Sequence, residues 1–273
     1  MAVQFCTYSC VNWIRTLPYV RAWVSAYGDR GLVVVGAHAP EFAFERELEG
    51  VRRAMGEMGV EHPIVLDNEY AIWRAFDNHY WPALYLVDGD GGLRYEHFGE
   101  GAYSETEAAI RQLLGAEGEP VRVEATGIEA AADWDTLGSP ETYLGAARGE
   151  GRGGEGAEGL ALNEWALDGK WTVEEEAAVL GEAAGSIAFR FEARDLNLVL
   201  TPPTPGGEAR FTVLLDGQPP GDAHGIDVDS LGLGTVSEPR LYQLVRQPDA
   251  VGERTFEITF LDPGVRAYVF TFG

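Results

Sequence analysis

Lysine is all but missing from this sequence. It occurs once, at Lys170, and nearly all the positive charge is arginine. Against 20 Lys and Arg stand 44 Asp and Glu, a formal net charge of −24. So acidic a surface argues against nucleic acid and against anionic membranes as partners. Arginine in place of lysine fits a GC-rich coding sequence or a high-salt host. Cysteine is scarce too: Cys6 and Cys10 are the only two, too few for a disulfide-stapled secreted scaffold. No apolar run reaches the ~18 residues that a membrane span needs. No Lys or Arg comes before Arg15, and the opening apolar run is short, so the start does not read as a secretory signal. As given, the chain is expected in the cytoplasm; a leader upstream would move it outside.

What is present is enough to bury a core. Hydrophobic residues make up 45% and aromatics 11% of 273 residues, room for two ordinary domains. Residues 1–114 alternate strand and helix signals. "AVQF" reads as a strand, and residues 10–27 as a helix on the spacing of Ile14, Leu17 and Val20. "GLVVVGAH" (31–38) is a continuous apolar run, as in a strand buried on both faces. "EFAFERELEGVRRAMGEMG" (41–59) reads as one amphipathic helix, and "YAIWRAF" as a short one. "ALYLVD" and "LRYEHFG" form a hairpin, and "SETEAAIRQLL" a helix opened by a capping box from Ser104 to Glu107. This order predicts an α/β domain with a mixed central sheet flanked by helices.

The texture then changes. A linker is expected over 115–125 and an all-β domain over 126–273. "ARGEGRGGEGAEG" (147–159) reads as a flexible Gly/charge loop. Beyond it, eight short alternating segments, from "LNEWAL" to "RAYVFTFG", predict an antiparallel sandwich or jelly roll.

Cys10 is the chemical candidate of the first domain. It follows a strand and stands at the first turn of a helix, where free N–H groups stabilise a thiolate. Trp81-Pro82 directly precedes the strand "ALYLVD" and is the best candidate for a cis bond. Five histidines, His38, His62, His79, His97 and His224, show no metal-ligand spacing. "GEGRGGEG" lacks the lysine and the strand–helix context of a phosphate loop. No cofactor and no metal site is expected.

On "FCTYSCVNW", "GLVVVGAHAPEFAFERE" and "LDNEYAIWRAFDNHYWPALYLVD", residues 1–114 resemble a thioredoxin-like redoxin domain of the TlpA/DipZ type. The resemblance implies that Cys10 is the nucleophile and Pro82, after Trp81, the cis proline. Three departures follow from it. Trp13 stands where the resolving cysteine would be, Cys6 where a tryptophan would be, and Gln4 at the acidic position of the strand. A dithiol cycle is therefore closed to this chain alone. Cys6 reads as a small buried residue or as an unusual resolving partner. "TYSC" also fits the Thr-x-x-Cys of peroxiredoxins, with Thr7 placed to bind a peroxide and Arg15 as the nearest arginine, but Val3 replaces their earlier proline.

Residues from about 121 on resemble the C-terminal β-sandwich of DipZ-type proteins, which is similar to carbohydrate-binding modules. That likeness implies sugar-stacking rings and polar partners. Tyr143, Trp165, Trp171 and Tyr242 are candidates for the rings, and Arg190, Arg194, Asp216, Gln218 and His224 for the partners. Each ring has packing as its plainer reading. Asp222, Asp227 and Asp229 could hold calcium or form a solvated loop. Three functions compete. The first is a monothiol thiol-disulfide oxidoreductase acting on protein or small-molecule thiols and disulfides, with an accessory carbohydrate-binding domain. The others are a non-catalytic binding platform and a one-cysteine peroxidase.

Overall fold

Ala2–Cys6 (β1) is buried at every position, as befits a strand with helices over both faces. In this computed structural model, which describes residues 1–154, 156–248 and 250–273, β1 is the centre of a five-stranded sheet. The chain continues through α1 (Val11–Tyr27), β2 (Val34–His38), α2 (Leu48–Glu57), β3 (Ile64–Leu66), α3 (Ala71–Ala75), β4 (Ala83–Val87), β5 (Leu93–Phe98) and α4 (Tyr103–Leu114). The strand order is β3-β2-β1-β4-β5. β1 pairs parallel with β2 and antiparallel with β4, so the sheet is mixed. Its pleat sorts side chains by parity. Ala2, Leu84 and Leu86 pack with Val20, Trp23 and Ile110 of α1 and α4. Val3, Phe5 and Tyr85 pack on the opposite face against Ile72, Trp73 and Phe76.

Two local expectations give way to tertiary contacts. The stretch 41–59 is not one helix: a 3-10 turn over Ala43–Arg46 stops at Glu47, which is extended at φ −76° and ψ 116°, before α2 begins. The side chain of Glu45 is drawn back on the preceding amides, which closes that turn. The capping box at Ser104 does not form either. Ala102 is the N-cap of α4, and Glu107 instead accepts hydrogen bonds from Tyr27 Oη at 2.5 Å and from the Val121 N–H at 2.8 Å. Through that bond and the packing of Ala116 and Val121, the segment after α4 belongs to the first compact unit, Met1–Ala130.

The second unit, Ala131–Gly273, is all β. Its strands are β6 (Thr142–Tyr143), β7 (Trp165–Asp168), β8 (Trp171–Val173), β9 (Ala178–Leu180), β10 (Gly185–Glu192), β11 (Asp195–Thr201), β12 (Ala209–Leu215), β13 (Leu233–Val236), β14 (Arg240–Arg246), β15 (Glu253–Phe260) and β16 (Arg266–Phe272). They form antiparallel sheets of order β13-β12-β15-β10-β7 and β14-β11-β16-β9-β8. Inward residues of both sheets, among them Phe189, Phe211, Leu198, Phe256 and Phe270, make one core. The Gly/charge segment 147–159 contains Glu155, which lies outside the described residues.

Candidate functional site

β1 delivers the chain to its C-terminal end, where a four-residue turn, Thr7–Cys10, leads into α1. The Cys10 N–H donates to Thr7 O at 3.2 Å, and Cys10 O accepts from the Ile14 N–H at 3.0 Å. Cys10 is thus the N-cap of α1. It is half-buried, while every other residue from Ala2 to Val11 is buried. The thiol lies where the first turn of a helix leaves its N–H groups without intrahelical acceptors.

The neighbouring strands converge on this turn. The last paired positions of β1 and β4 are Phe5 and Ala83; one step further β1 ends at Cys6, and Pro82 directly precedes β4. The Trp81–Pro82 bond is cis. Ala39, just past β2, ties both together: its N–H donates to Cys6 O at 3.0 Å, and its carbonyl accepts Trp81 Nε1–H at 3.0 Å. Trp81 also packs on Trp73 at 4.3 Å between ring centroids. Asp67 accepts the N–H groups of Ile72 and Trp73 and so fixes the helix carrying that ring.

Cys6 and Cys10 do not form a disulfide. Cys6 is fully buried, and its thiol is pushed far up, by burial first and by the charge of Glu45 second. It is not a thiolate at neutral pH. Trp13, on α1, is wholly buried. Thr7 is buried as well. On the other face of β1, Gln4 Nε2 donates to Thr16 Oγ1 at 2.8 Å, and Thr16 Oγ1 donates to Trp13 O at 2.7 Å. Beside Gln4 a narrow recess reaches Pro82, His97 and Tyr103. Arg15, with the same helix, is committed to a buried ion pair with Glu100 at 2.9 Å. Burial raises the Glu100 carboxyl, and Arg15 opposes the shift. His38, at the end of β2, stacks on Tyr8 at 5.6 Å. Burial lowers its pKa to about 4, so it stays neutral.

Two residues of the turn's surroundings escaped the sequence reading. Glu45 is buried completely, and its carboxylate accepts from Ser9 Oγ at 2.7 Å and from Ser9 N–H at 3.2 Å. The only signal in the sequence is an acid that directly follows the apolar run Phe42-Ala43-Phe44, inside a stretch read as one amphipathic helix.

In the second unit the expected sugar platform is corrected in part. Trp165 and Tyr242 are core residues, 2% and 0% exposed, so neither ring offers a face to a ligand. Trp165 Nε1–H donates to Glu150 O, and Tyr242 Oη to Glu238 O. Trp171 is half-buried, edge-on to Phe260 at 5.9 Å. Arg190 pairs with Glu253 at 2.8 Å, and Arg194 with the buried Asp195 at 2.7 Å. Tyr143 is half-buried beneath Arg148, whose guanidinium lies 3.7 Å from the ring centroid. With Glu150 and Asn163 these two border an open recess. Among the described residues no cluster of three or more His, Cys, Asp or Glu could hold a metal. Asp227, offered for calcium, instead accepts from Arg240 and from the Gln243 N–H.

A mixed sheet of this order, with a thiol at the N-cap of the helix after its central strand and a proline heading the adjacent strand, defines a thioredoxin-like domain. The comparisons then extend to the whole chain. Residues 139–273 match the family described as "Thioredoxin like C-terminal domain". Protein DipZ of Mycobacterium tuberculosis is 34% identical over 284 aligned positions, covering 99% of this chain and 38% of that protein. Thiol-disulfide oxidoreductase YkuV of Bacillus subtilis is 28% identical over 112, covering 41% of this chain and 75% of that one. A solved structure of a putative thiol:disulfide interchange protein DsbE from Chlorobium tepidum is 17% identical with a TM-score of 0.39, covering 42% of this chain and 79% of that one. The chain is therefore a thioredoxin-like redoxin domain of the TlpA/DipZ type followed by the C-terminal β-sandwich found in DipZ-type proteins. It spans little more than a third of the length of the DipZ proteins it matches.

Proposed function

We propose that the first unit is a monothiol exchange protein in which Cys10 is the only working sulfur. The observation that carries this reading is the contrast between the two cysteines. Cys10 is half-exposed at a helix N-cap, and Cys6 is buried with its thiol held protonated. The Cys10 thiolate attacks one sulfur of a substrate disulfide; a mixed disulfide forms and the other sulfur leaves as thiolate. A thiol from outside then attacks the substrate-derived sulfur of the mixed disulfide; a new disulfide forms between those two sulfurs, and Cys10 leaves as thiolate, free for another exchange. Thr7, Trp13, Trp81 and Pro82 shape the turn, and Cys6 packs beneath it.

Reduction of a glutathione mixed disulfide by excess glutathione tests this. Wild type and Cys6→Ser are expected to turn over alike and Cys10→Ser not at all, with the wild-type Cys10 titrating below the ~8.5 of a free thiol. Equal rates for wild type and Cys10→Ser would sink the reading. Trp13, which fills the second sulfur's place, favours the runner-up: a binding platform without chemistry, which the same assay separates. The peroxidase reading has less behind it, because Arg15 is taken up by Glu100.

For the second unit the proposal is an accessory carbohydrate site at the Tyr143 recess, with Trp171, Arg190 and Arg194 outside it. Support is limited to the recess and its polar rim, and Arg148 must swing off the ring before a sugar can stack. Calorimetric titration of soluble oligosaccharides into wild type and Tyr143→Ala decides it; heats that do not differ would remove Tyr143 from the site.

A further inference from the structure

The acidic position of β1 holds Gln4, yet a carboxylate is buried at the active turn all the same. Glu45 brings it from a different element. It sits three residues into the turn after Phe42, and its Oε2 accepts the N–H of Glu41 at 2.7 Å and of Phe42 at 3.0 Å. That half resembles an ordinary N-terminal cap, which is normally exposed and closes its own helix. Here the carboxylate is wholly buried, and Oε1 reaches 36 residues back to take both the N–H and the Oγ–H of Ser9. Ser9 is bonded directly to Cys10. These donors, with the Thr7 hydroxyl beside them, surround the carboxylate, and no cation is paired with it among the described residues.

We propose that Glu45 is a positioning residue for Cys10: it clamps the peptide that presents the thiol, and its charge opposes the thiolate, so that the ionisation of the two groups is coupled. The inference rests on Cys10 being the working thiol. Charge repulsion across one peptide unit in a buried setting is large compared with the same pair in water. Other titratable groups lie nearby. Cys6 and Tyr8 lie on the β1 side, and Cys6 is protonated. His38, from β2, is neutral. Glu41, Arg46 and Glu47 flank Glu45 in its own segment, and Arg15 on α1 faces Glu100. Burial raises the Glu45 carboxyl, against the pull of its donors, which agrees with an acid whose charge is costly where it stands.

The coupling is reciprocal, so it can be read from either group. In Glu45→Gln the Cys10 alkylation profile with iodoacetamide is expected to move to lower pH, with roughly a tenfold higher rate on the acid limb. A Gln amide would turn donors toward the Glu41 and Phe42 N–H groups, so this variant risks unfolding. The second arm uses the native sequence. Cys10 is blocked either with iodoacetamide, which leaves a neutral adduct, or with iodoacetate, which leaves a negative one. The Glu45 carboxyl carbon is then followed by NMR against pH. Its midpoint is expected to be higher in the iodoacetate adduct. Coincident midpoints, or a folded Glu45→Gln with an unmoved profile, would overturn the coupling while leaving Cys10 as the thiol. A Cys10 that reacts with neither reagent would overturn both readings.

Discussion

The two units of this chain solve opposite problems. The sandwich buries a large apolar core between its sheets; ion pairs such as Arg190 with Glu253 and Arg210 with Asp262 sit near its surface, while Asp195 is buried and paired with Arg194 and Arg246. The first unit splits its apolar residues between the two faces of one sheet. At the end of its central strand it also buries Gln4, Thr7, Ser9, His38 and Glu45. Buried polar groups cost free energy unless they are hydrogen-bonded, and buried charges more. The sandwich matches its buried Asp195 with two arginines; the first unit instead surrounds its buried Glu45 with backbone and hydroxyl donors, beside its more accessible thiol.

The largest expected effect is the simplest. Cys10→Ser should reduce disulfide exchange to the uncatalysed background while both units melt as before, measured by turnover and calorimetry on one sample. Residual turnover would place chemistry outside the turn. Next comes the sandwich core. Phe189 is fully buried and touches the rings of Phe270 and Phe272 at 5.0 and 5.3 Å. Phe189→Ala should cost about 3–5 kcal/mol in denaturant unfolding of the second unit, with the Cys10 alkylation profile unchanged. A shifted profile would mean that the units are not energetically separate.

Acid should tell the units apart. The folded pKa of His38 is about 4, below its ordinary 6.5. Its contribution is complete above 6.5 and is lost as pH falls through about 4, because the unfolded chain takes the proton first. The difference between wild type and His38→Leu should change by roughly 3 kcal/mol across that window. Glu45 and Glu100, both raised, act the other way: what they contribute is present at low pH and lost as pH rises through their folded values. The variant difference isolates His38 from them. In the sandwich, Asp262 is held at about 2 by Arg210, so its contribution stands above 3.8 and goes only as pH falls through about 2. A sandwich that weakened in step with His38 would break the contrast.

The smallest effect concerns the boundary. A fragment of residues 1–130 should be more stable than one of 1–114 by about 2 kcal/mol, because the shorter one loses the Val121 bond to Glu107 and the packing of Ala116 and Val121. Equal unfolding midpoints would instead favour 115–125 as a plain linker.

Much of this architecture was legible in the chain. Alternation exposed β1, β4 and most strands of the sandwich, and a 3.6-residue spacing exposed α1 with Cys10 at its head. The strands that escaped, β3, β6, β8 and β13, are two to four residues long, and β13 is an edge strand with exposed leucine at its start. So few residues display a period weakly, and most of these strands pair with partners distant in sequence. The same limit hid the interior of the site. "EFAFERE" carries a helical rhythm, and nothing local to it says that Glu45 will be claimed by Ser9.

By itself, then, the sequence determined the order of elements, the all-β character of the second half and the position of one thiol at a helix start, because side-chain period and local backbone chemistry are written in neighbouring residues. Only the tertiary structure decided that Cys6 is sealed in, that Trp165 and Tyr242 belong to the core, and that a carboxylate from residue 45 lies under residue 9. Burial and long-range hydrogen bonds depend on which strand lies beside which, and a strand's own residues record its faces but not its neighbours.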